Sequence, residues 1–429
     1  MLHSGQQTLV RAAKRFNAVS CGRRFGKTTL GLALALHGAP GSPGGLGQGF
    51  DVGWFAPSYK LLDEAWRAAK GYLKAYLTRT DSQQHRMELT TSAGAASLDF
   101  WTLEDSDSGR GRRYGMVIVD EAAMARHLEL AWNAAIRPTL TDVQGGAWFF
   151  STPKGRNFFW QLYQRGSDPN WKDWAAHHAP TAGNPYIAAT EIEAARLSLP
   201  ERIFAQEYLA AFLEDGGGVF RRVQEAVDPT VGCDASEASG IVMGVDWGRH
   251  HDFTVIVVFD SVSRSVLAVD RFTGIDFALQ QGRLRAMHSR YPHSVIIAES
   301  NSIGEPMIEA LQCQGLPVQA FQTTAASKRI IIDALALAFE QGSLRFPDVP
   351  WLLDELLSYE QERLPGGTLR FGAPSGGHDD GVMALALALH GAGTYLDFSR
   401  IQTMGRGTPV DSGNAGWGSV AGSGATQSW

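Results

Sequence analysis

Four short apolar runs punctuate the first half of the chain: NAVS (17–20), DVGWFAP (Asp51–Pro57), GMVIVDEAA (Gly115–Ala123) and GAWFFSTP (Gly146–Pro153). None alternates apolar with polar, so each reads as a strand covered on both faces, the signature of a parallel α/β sheet. The stretch TTLGLALALHGA after the first run reads as a buried Ala/Leu helix, which makes this region strand, loop, helix. A helical stretch over 201–212 then runs into EDGGGVFRR (Glu214–Arg222), whose three successive glycines predict an interdomain hinge.

Beyond the glycines the pattern changes. IVMGVDWG and FTVIVVFD predict a β-hairpin, RSVLAVDRF a third strand, and SVIIAES (Ser294–Ser300) a strand that follows a helix. Strand, strand, strand, helix, strand, helix is the order of a ribonuclease H-like fold. The octet LALALHGA occurs at Leu32–Ala39 and again at Leu385–Ala392. Eight residues of biased composition make no structural repeat, and both copies read as helices following a catalytic turn. The last residues are rich in Gly, Ser and Thr, which predicts a disordered tail over 403–429.

Composition narrows this picture. A chain of 429 residues exceeds what one core supports, so about two to three domains are expected. The formal charge of −6 excludes a protein that coats nucleic acid through bulk positive charge, and leaves only local basic grooves. Cys21, Cys233 and Cys313 show no paired spacing, so neither a disulfide framework nor a zinc knuckle is predicted, and a reducing compartment fits. The start of the chain lacks the basic-then-apolar order of a signal peptide. The longest apolar runs fall short of the ~20 residues that span a bilayer. A soluble, cytoplasmic protein with no membrane partner is expected.

The first chemistry lies in SCGRRFGKTT. A phosphate-binding loop usually has a glycine four residues before its Gly-Lys pair, where this chain has Cys21, with Gly22 one place later. The parts the chemistry needs remain. Gly22, Arg23, Arg24 and Gly26 can bring backbone amides to phosphates, Lys27 offers a point charge, and Thr28, followed by Thr29, can place a hydroxyl on Mg²⁺. A Gly-Lys-Thr alone can be an ordinary helix start. Asp120 and Glu121, ending an apolar strand, supply the second element: Asp120 to hold the metal, Glu121 to orient or deprotonate water. SGRGRRYG (Ser108–Gly115) carries Arg110, Arg112 and Arg113 among glycines, and reads either as a solvated basic loop or as an arginine finger. Ser151 and Thr152, at a strand end, can sense the γ-phosphate and transmit its loss.

Three acidic positions fall where a ribonuclease H-like fold needs them. Asp246 lies in the first strand, Glu299 ends a later one, and Asp379-Asp380 opens the terminal helix. Carboxylates so placed can hold two Mg²⁺ or Mn²⁺ ions that activate water and stabilise the leaving oxygen of a phosphodiester. Singly, each reads as a surface or capping residue, and Asp379 could simply cap its helix. Asp252 is a weaker candidate, and His378 could orient a ligand or water.

Taken together, GQQTLVRAAKRFNAVSCGRRFGKT, VIVDEAA, STPKGRNFFW, QEYLAAFLEDGGGVF, GVDWG, AES and HDD resemble the large terminase subunit of tailed bacteriophages, an ATP-driven motor that packs DNA into a procapsid and cuts it. The resemblance implies a P-loop ATPase domain with a parallel sheet over 1–213, a hinge over 214–222 and a ribonuclease H-like nuclease domain over 223–402. It places Gln6 or Gln7 and WFAPSYK near the adenine and makes Arg110 a finger acting across a subunit boundary. Asp246, Glu299 and Asp379 become the nuclease acids, with Asp380 the alternative ligand to Asp379. Implied cofactors are ATP with Mg²⁺ and two Mg²⁺ or Mn²⁺ in the nuclease. Implied partners are double-stranded DNA, the portal protein, a small terminase subunit and further copies in a ring, the chain being a monomer in isolation. The implied location is the host cytoplasm, docked transiently on the procapsid and absent from the mature virion. A helicase or repair nuclease with the same two domains, and a scaffold that binds nucleotide without hydrolysis, remain as alternatives.

Overall fold

The computed structural model describes residues 1–213, 218–231, 240–248, 252–301, 304–363 and 369–404. The first half holds one sheet of eight strands: β1 (Phe16–Cys21), β2 (Val52–Ala56), β3 (Leu77–Asp81), β4 (Arg86–Thr91), β5 (Gly94–Thr102), β6 (Met116–Asp120), β7 (Gly146–Ser151) and β8 (Trp174–Ala179). Their order is β3-β4-β5-β2-β6-β7-β1-β8. From β5 to β8 all neighbours run parallel, while β3 and β4 add an antiparallel edge.

The four predicted strands are the buried centre of this sheet; β3, β4, β5 and β8 are additions. β3 is polar and mostly exposed, as an edge strand tolerates. In β8 the polar His177 is buried and pairs with Asn17 Oδ1 at 3.2 Å, so an inner position lacks an apolar residue to mark it. Two helices flank β1, α1 (Ser4–Arg11) before it and α2 (Lys27–His37) after it, and α2 is buried continuously from Leu30 to Leu36. Strand order sets the function: β7 lies between β1 and β6, so Cys21, Asp120 and Ser151 end adjacent strands along one edge.

The second half holds a five-stranded sheet of order β11-β10-β9-β12-β13. β9 (Ile241–Asp246), β10 (Thr254–Asp260) and β11 (Ser265–Phe272) are antiparallel; β12 (Val295–Glu299) and β13 (Val318–Phe321) continue parallel to β9. The terminal helix Asp380–Met404 crosses β9 at Gly244, where a Cβ would lie 1.9 Å from the Ala384 carbonyl oxygen. Only glycine permits that approach. A short antiparallel ribbon pairs β14 (Glu360–Arg363) with β15 (Leu369–Gly372).

Part of the expected hinge, residues 214–217, lies outside the described residues, as do Cys233 and residues 405–429 of the expected tail. Residues 218–222 are not a free linker. Val219 N donates to Tyr359 O at 3.0 Å, and Val219 and Phe220 are buried in the core of the second half. The halves also meet through the helix Glu201–Glu207. Its Arg202 pairs with Asp333, donates to Gln361 Oε1 at 2.8 Å and lies over the Phe371 ring. Among the described residues no helix is long and apolar enough to cross a membrane.

Candidate active sites

The irregular glycine spacing of the first loop has a steric cause. Cys21 is the last residue of β1, fully buried, and burial pushes its thiol pKa far up, so it serves as core. Space runs out one residue later: a Cβ on Gly22 would lie 2.5 Å from both Thr181 Oγ1 and the Tyr208 carbonyl oxygen. The glycine requirement has therefore moved to position 22. Gly26, at φ 97°, makes the left-handed turn into α2. Loop carbonyls are tied down from outside, Arg23 O by Thr181 Oγ1 at 2.8 Å and Arg24 O by Asn184 Nδ2 at 2.7 Å. Arg23 itself pairs with Glu207.

Gln6 is buried at 2 % exposure and donates to Gly26 O at 3.0 Å, bracing the loop from behind. Gln7 is exposed and donates to Leu2 O. Thr28 is half-buried and Thr29 exposed on the first turn of α2.

Lys27 Nζ meets Glu121 Oε1 at 2.8 Å. Burial opposes charge on Lys27, but Glu121 and its neighbours outweigh it, and the ammonium pKa lies above its ordinary value. Glu121 sits at φ 49°, ψ 43°, a left-handed conformation uncommon for a residue with a side chain. Ser151 Oγ joins it to β7, accepting from Ala123 N at 3.1 Å and donating to Glu121 Oε2 at 3.4 Å. Thr152, next along, is buried. Asp120 is raised to about 7 by burial and then by the charge of Glu121.

The arginines separate clearly. Arg112 is anchored within the chain, its Nε 3.6 Å from the buried Asp99 and its guanidinium over Trp101. Arg110 stands on a turn between Gly109 and Gly111, both at positive φ, and contacts only Asp107 among the described ion pairs. Arg113 is exposed.

In the second half the register Ala298↔Val245 sets Glu299 beside Asp246 at the ends of adjacent strands. Burial, then the charge of Glu299 and a hydrogen bond with it, raise Asp246 well above the carboxylate range, with Asp380 and Asp379 adding to the effect. Asp380 is raised to about 6 by burial and then Asp379, although its Oδ2 accepts from Phe253 N at 3.3 Å. His378 Nδ1 lies 3.6 Å from the same oxygen. Asp379 Oδ2 holds Lys328 Nζ at 2.9 Å. Asp252 is exposed. Beside Lys328 and Asp379 opens a cavity of about 690 Å³, bounded by Arg370 and the turn 373–377. Among the described residues no three His, Cys, Asp or Glu side chains are already set around one point as metal ligands.

Two participants were missed from sequence, Lys328 and Glu355. Glu355 is 6 % exposed and raised to about 7 by burial. It shares the buried stripe of its helix with Leu352 and Leu356, and a carboxylate on an apolar stripe was a readable signal.

A nucleotide-type loop facing a strand-end acid pair, joined to a ribonuclease H-like sheet carrying buried acids, defines a two-site protein of the ATPase–nuclease class. Comparison with known proteins agrees. Residues 19–227 match the family "Terminase large subunit, T4likevirus-type, N-terminal", and residues 243–391 match "Terminase RNaseH-like domain". The chain belongs to the terminase large subunit family. It is 27% identical over 434 residues to the large subunit of Thermus virus P23-45, covering 90% of this chain and 86% of that one. It is 26% identical over 341 residues to that of Escherichia phage T5, covering 77% and 75%. The solved structure of a large terminase from a thermophilic bacteriophage shares the fold, with a TM-score of 0.53 at 13% identity over 91% of this chain and 98% of that one.

Proposed function

We propose that the two sites divide the work of a viral genome-packaging motor. The first, on residues 1–213, hydrolyses ATP to move double-stranded DNA; the second, from 223 to 402, cuts it. The observation that carries this reading is the pair of acid sites, each at the C-terminal edge of its own sheet, on one chain of this family.

In the first site the Gly22 and Arg23 amides are spent on Ala179 O and Glu207 O, so the turn from Arg24 to Lys27 would cradle the phosphates; Lys27 would move from Glu121 to the β and γ oxygens, and Thr28 and Asp120 would hold Mg²⁺. Freed from Lys27, Glu121 orients the attacking water, and Ser151, bonded to Glu121, passes the change to β7. Arg110, projecting from its turn, completes the site of a neighbouring copy.

The second site fits a divalent cation. Asp246, Glu299, Asp379 and Asp380 offer hard oxygen donors, and two features point to missing positive charge: Asp246 and Asp380 are both held above the ordinary carboxylate range, and Lys328 sits on Asp379. Two Mg²⁺ or Mn²⁺ ions bound there would activate water and stabilise the leaving oxygen. Phosphate contacts would dominate the grip on DNA, tolerant of sequence and sensitive to salt. A ring on the portal, a small terminase subunit and a place in the host cytoplasm complete this reading. Family membership favours packaging over the helicase and the scaffold. The test is a purified chain that turns over ATP at a concentration high enough for copies to meet, and that cuts plasmid DNA only with Mg²⁺ or Mn²⁺; a protein that does neither refutes it.

A further inference from the structure

The helix Asp380–Met404 starts after an aspartate that does not cap it. An N-cap aspartate ordinarily turns its carboxylate onto the free amides of its own first turn. Asp379 holds the N-cap position, since its carbonyl accepts from Met383 N at 2.9 Å, but its carboxylate is turned to Lys328. The amide of Gly381, which such a cap would serve, donates to Glu355 Oε2 at 2.8 Å. Glu355 comes from a different helix, Pro350–Ser358, and is buried there.

The surroundings are built for this contact. A Cβ on Gly381 would lie 2.7 Å from Glu355 Oε2 and 2.6 Å from Trp351 Cζ3, so a side chain at 381 would close the gap. The other carboxylate oxygen, Oε1, lies 3.2 Å from Arg271 Nη2. Arg271 is itself packed against the rings of Phe253 at 3.6 Å and Trp351 at 4.5 Å.

We propose that Glu355 is a positioning residue of the nuclease site: it caps the helix in place of Asp379 and so keeps the Asp379 carboxylate free for a divalent cation. The proposal rests on the nuclease reading above. Without Glu355 the buried Gly381 amide loses its acceptor, and Asp379 is the neighbour placed to replace it. A carboxylate drawn back to cap its own helix then has an oxygen committed to an amide, and the metal loses a ligand.

The test uses the full chain with Mn²⁺ as probe, reading bound Mn²⁺ by electron paramagnetic resonance and, separately, plasmid cleavage against Mn²⁺ concentration. Glu355→Ala should raise the Mn²⁺ concentration for half-saturation roughly 10- to 100-fold, the usual scale for removing an outer-shell partner, with ATP turnover unchanged. Glu355→Gln keeps an acceptor oxygen and should bind Mn²⁺ like the unaltered chain. Glu355→Asp keeps the charge but is one methylene short of the Gly381 amide and should resemble alanine; it also carries the test if the alanine variant does not fold. Unchanged Mn²⁺ binding in Glu355→Asp, or a glutamine variant as weak as aspartate, overturns the proposal. An unaltered chain that neither binds Mn²⁺ nor cuts overturns the nuclease reading instead.

Discussion

Lys27 meets Glu121 at 2.8 Å in the first half, and Lys328 meets Asp379 at 2.9 Å in the second. The contacts look alike, but their settings differ. Lys27 is deep, at 14% side-chain exposure, on the first turn of a helix beside a phosphate cradle, and Glu121 is held by Ser151. Lys328 is more exposed, at 22%, and reaches in from a separate helix to an acid cluster with surplus negative charge. The proposed roles follow from this. Lys27 belongs to the chemistry, and nucleotide phosphate competes with Glu121 for it. Lys328 would be a placeholder that a divalent cation displaces. On this reading the first pair would act as a switch, and the second as a plug.

The greatest loss is expected at the subunit boundary. Arg110→Ala should lower ATP turnover in assembled rings by roughly 10³- to 10⁵-fold, the scale of an arginine finger, and leave cleavage intact. Mixing Arg110→Ala with Glu121→Gln subunits should return part of the activity, because intact sites then face intact fingers. Mixed rings shown to contain both subunits but lacking turnover would mean that Arg110 works in cis or only structurally. Glu121→Gln comes next, with turnover down about 10²- to 10⁴-fold while ATP still binds, and normal hydrolysis would remove Glu121 from the role of water-orienting group.

Asp246→Asn should take Mn²⁺-dependent cleavage below detection and spare ATP turnover, since it touches only the second site. Loss of both activities would mean that the two sites are not separable. The same variant tests the buried charge without metal. Asp246 is raised well above, and Asp380 to about 6 from, an ordinary carboxyl value of 3.8. The folded state thus keeps protons that the unfolded chain has released. The contribution of these two groups to stability is full below about pH 4 and is lost as pH rises through the folded values. Metal-free Asp246→Asn should therefore melt higher than the unaltered chain at pH 8, by about 2–4 °C for each kcal/mol recovered, and added Mg²⁺ should narrow the gap. Equal melting curves would show that the acids are not strained.

The smallest effect sharpens the contrast of switch and plug. Lys27→Met should lose ATP binding, whereas Lys328→Met should strengthen Mn²⁺ binding, though only a few-fold, because an ion pair open to solvent on one side is worth about 0.2–1 kcal/mol. Calorimetric titration of each variant decides it. Weaker Mn²⁺ binding in Lys328→Met would make that lysine a supporting part of the site.

What the sequence determined about this protein was local. The phosphate loop, the Asp120-Glu121 strand end and the succession of strands and helices in the second half are each legible in short stretches of residues, because backbone approach, helix start and strand burial are short-range requirements. Cys21 looked anomalous until packing explained it: the wall formed by Thr181 and Tyr208 demands a glycine one residue later, and no local pattern carries that wall. Only the tertiary structure decided which groups meet across long separations. Lys328 reaches Asp379 and Glu355 reaches Gly381 through helix packing, and Arg112 is withdrawn onto Asp99 while Arg110 is left projecting. Val219 and Phe220, within the stretch read from its glycines as linker, belong to the second core because they find an apolar partner surface there. A sequence states which groups are available and which way the chain turns near them; the distance between two carboxylates, or between an amide and its acceptor, is fixed by how whole elements pack.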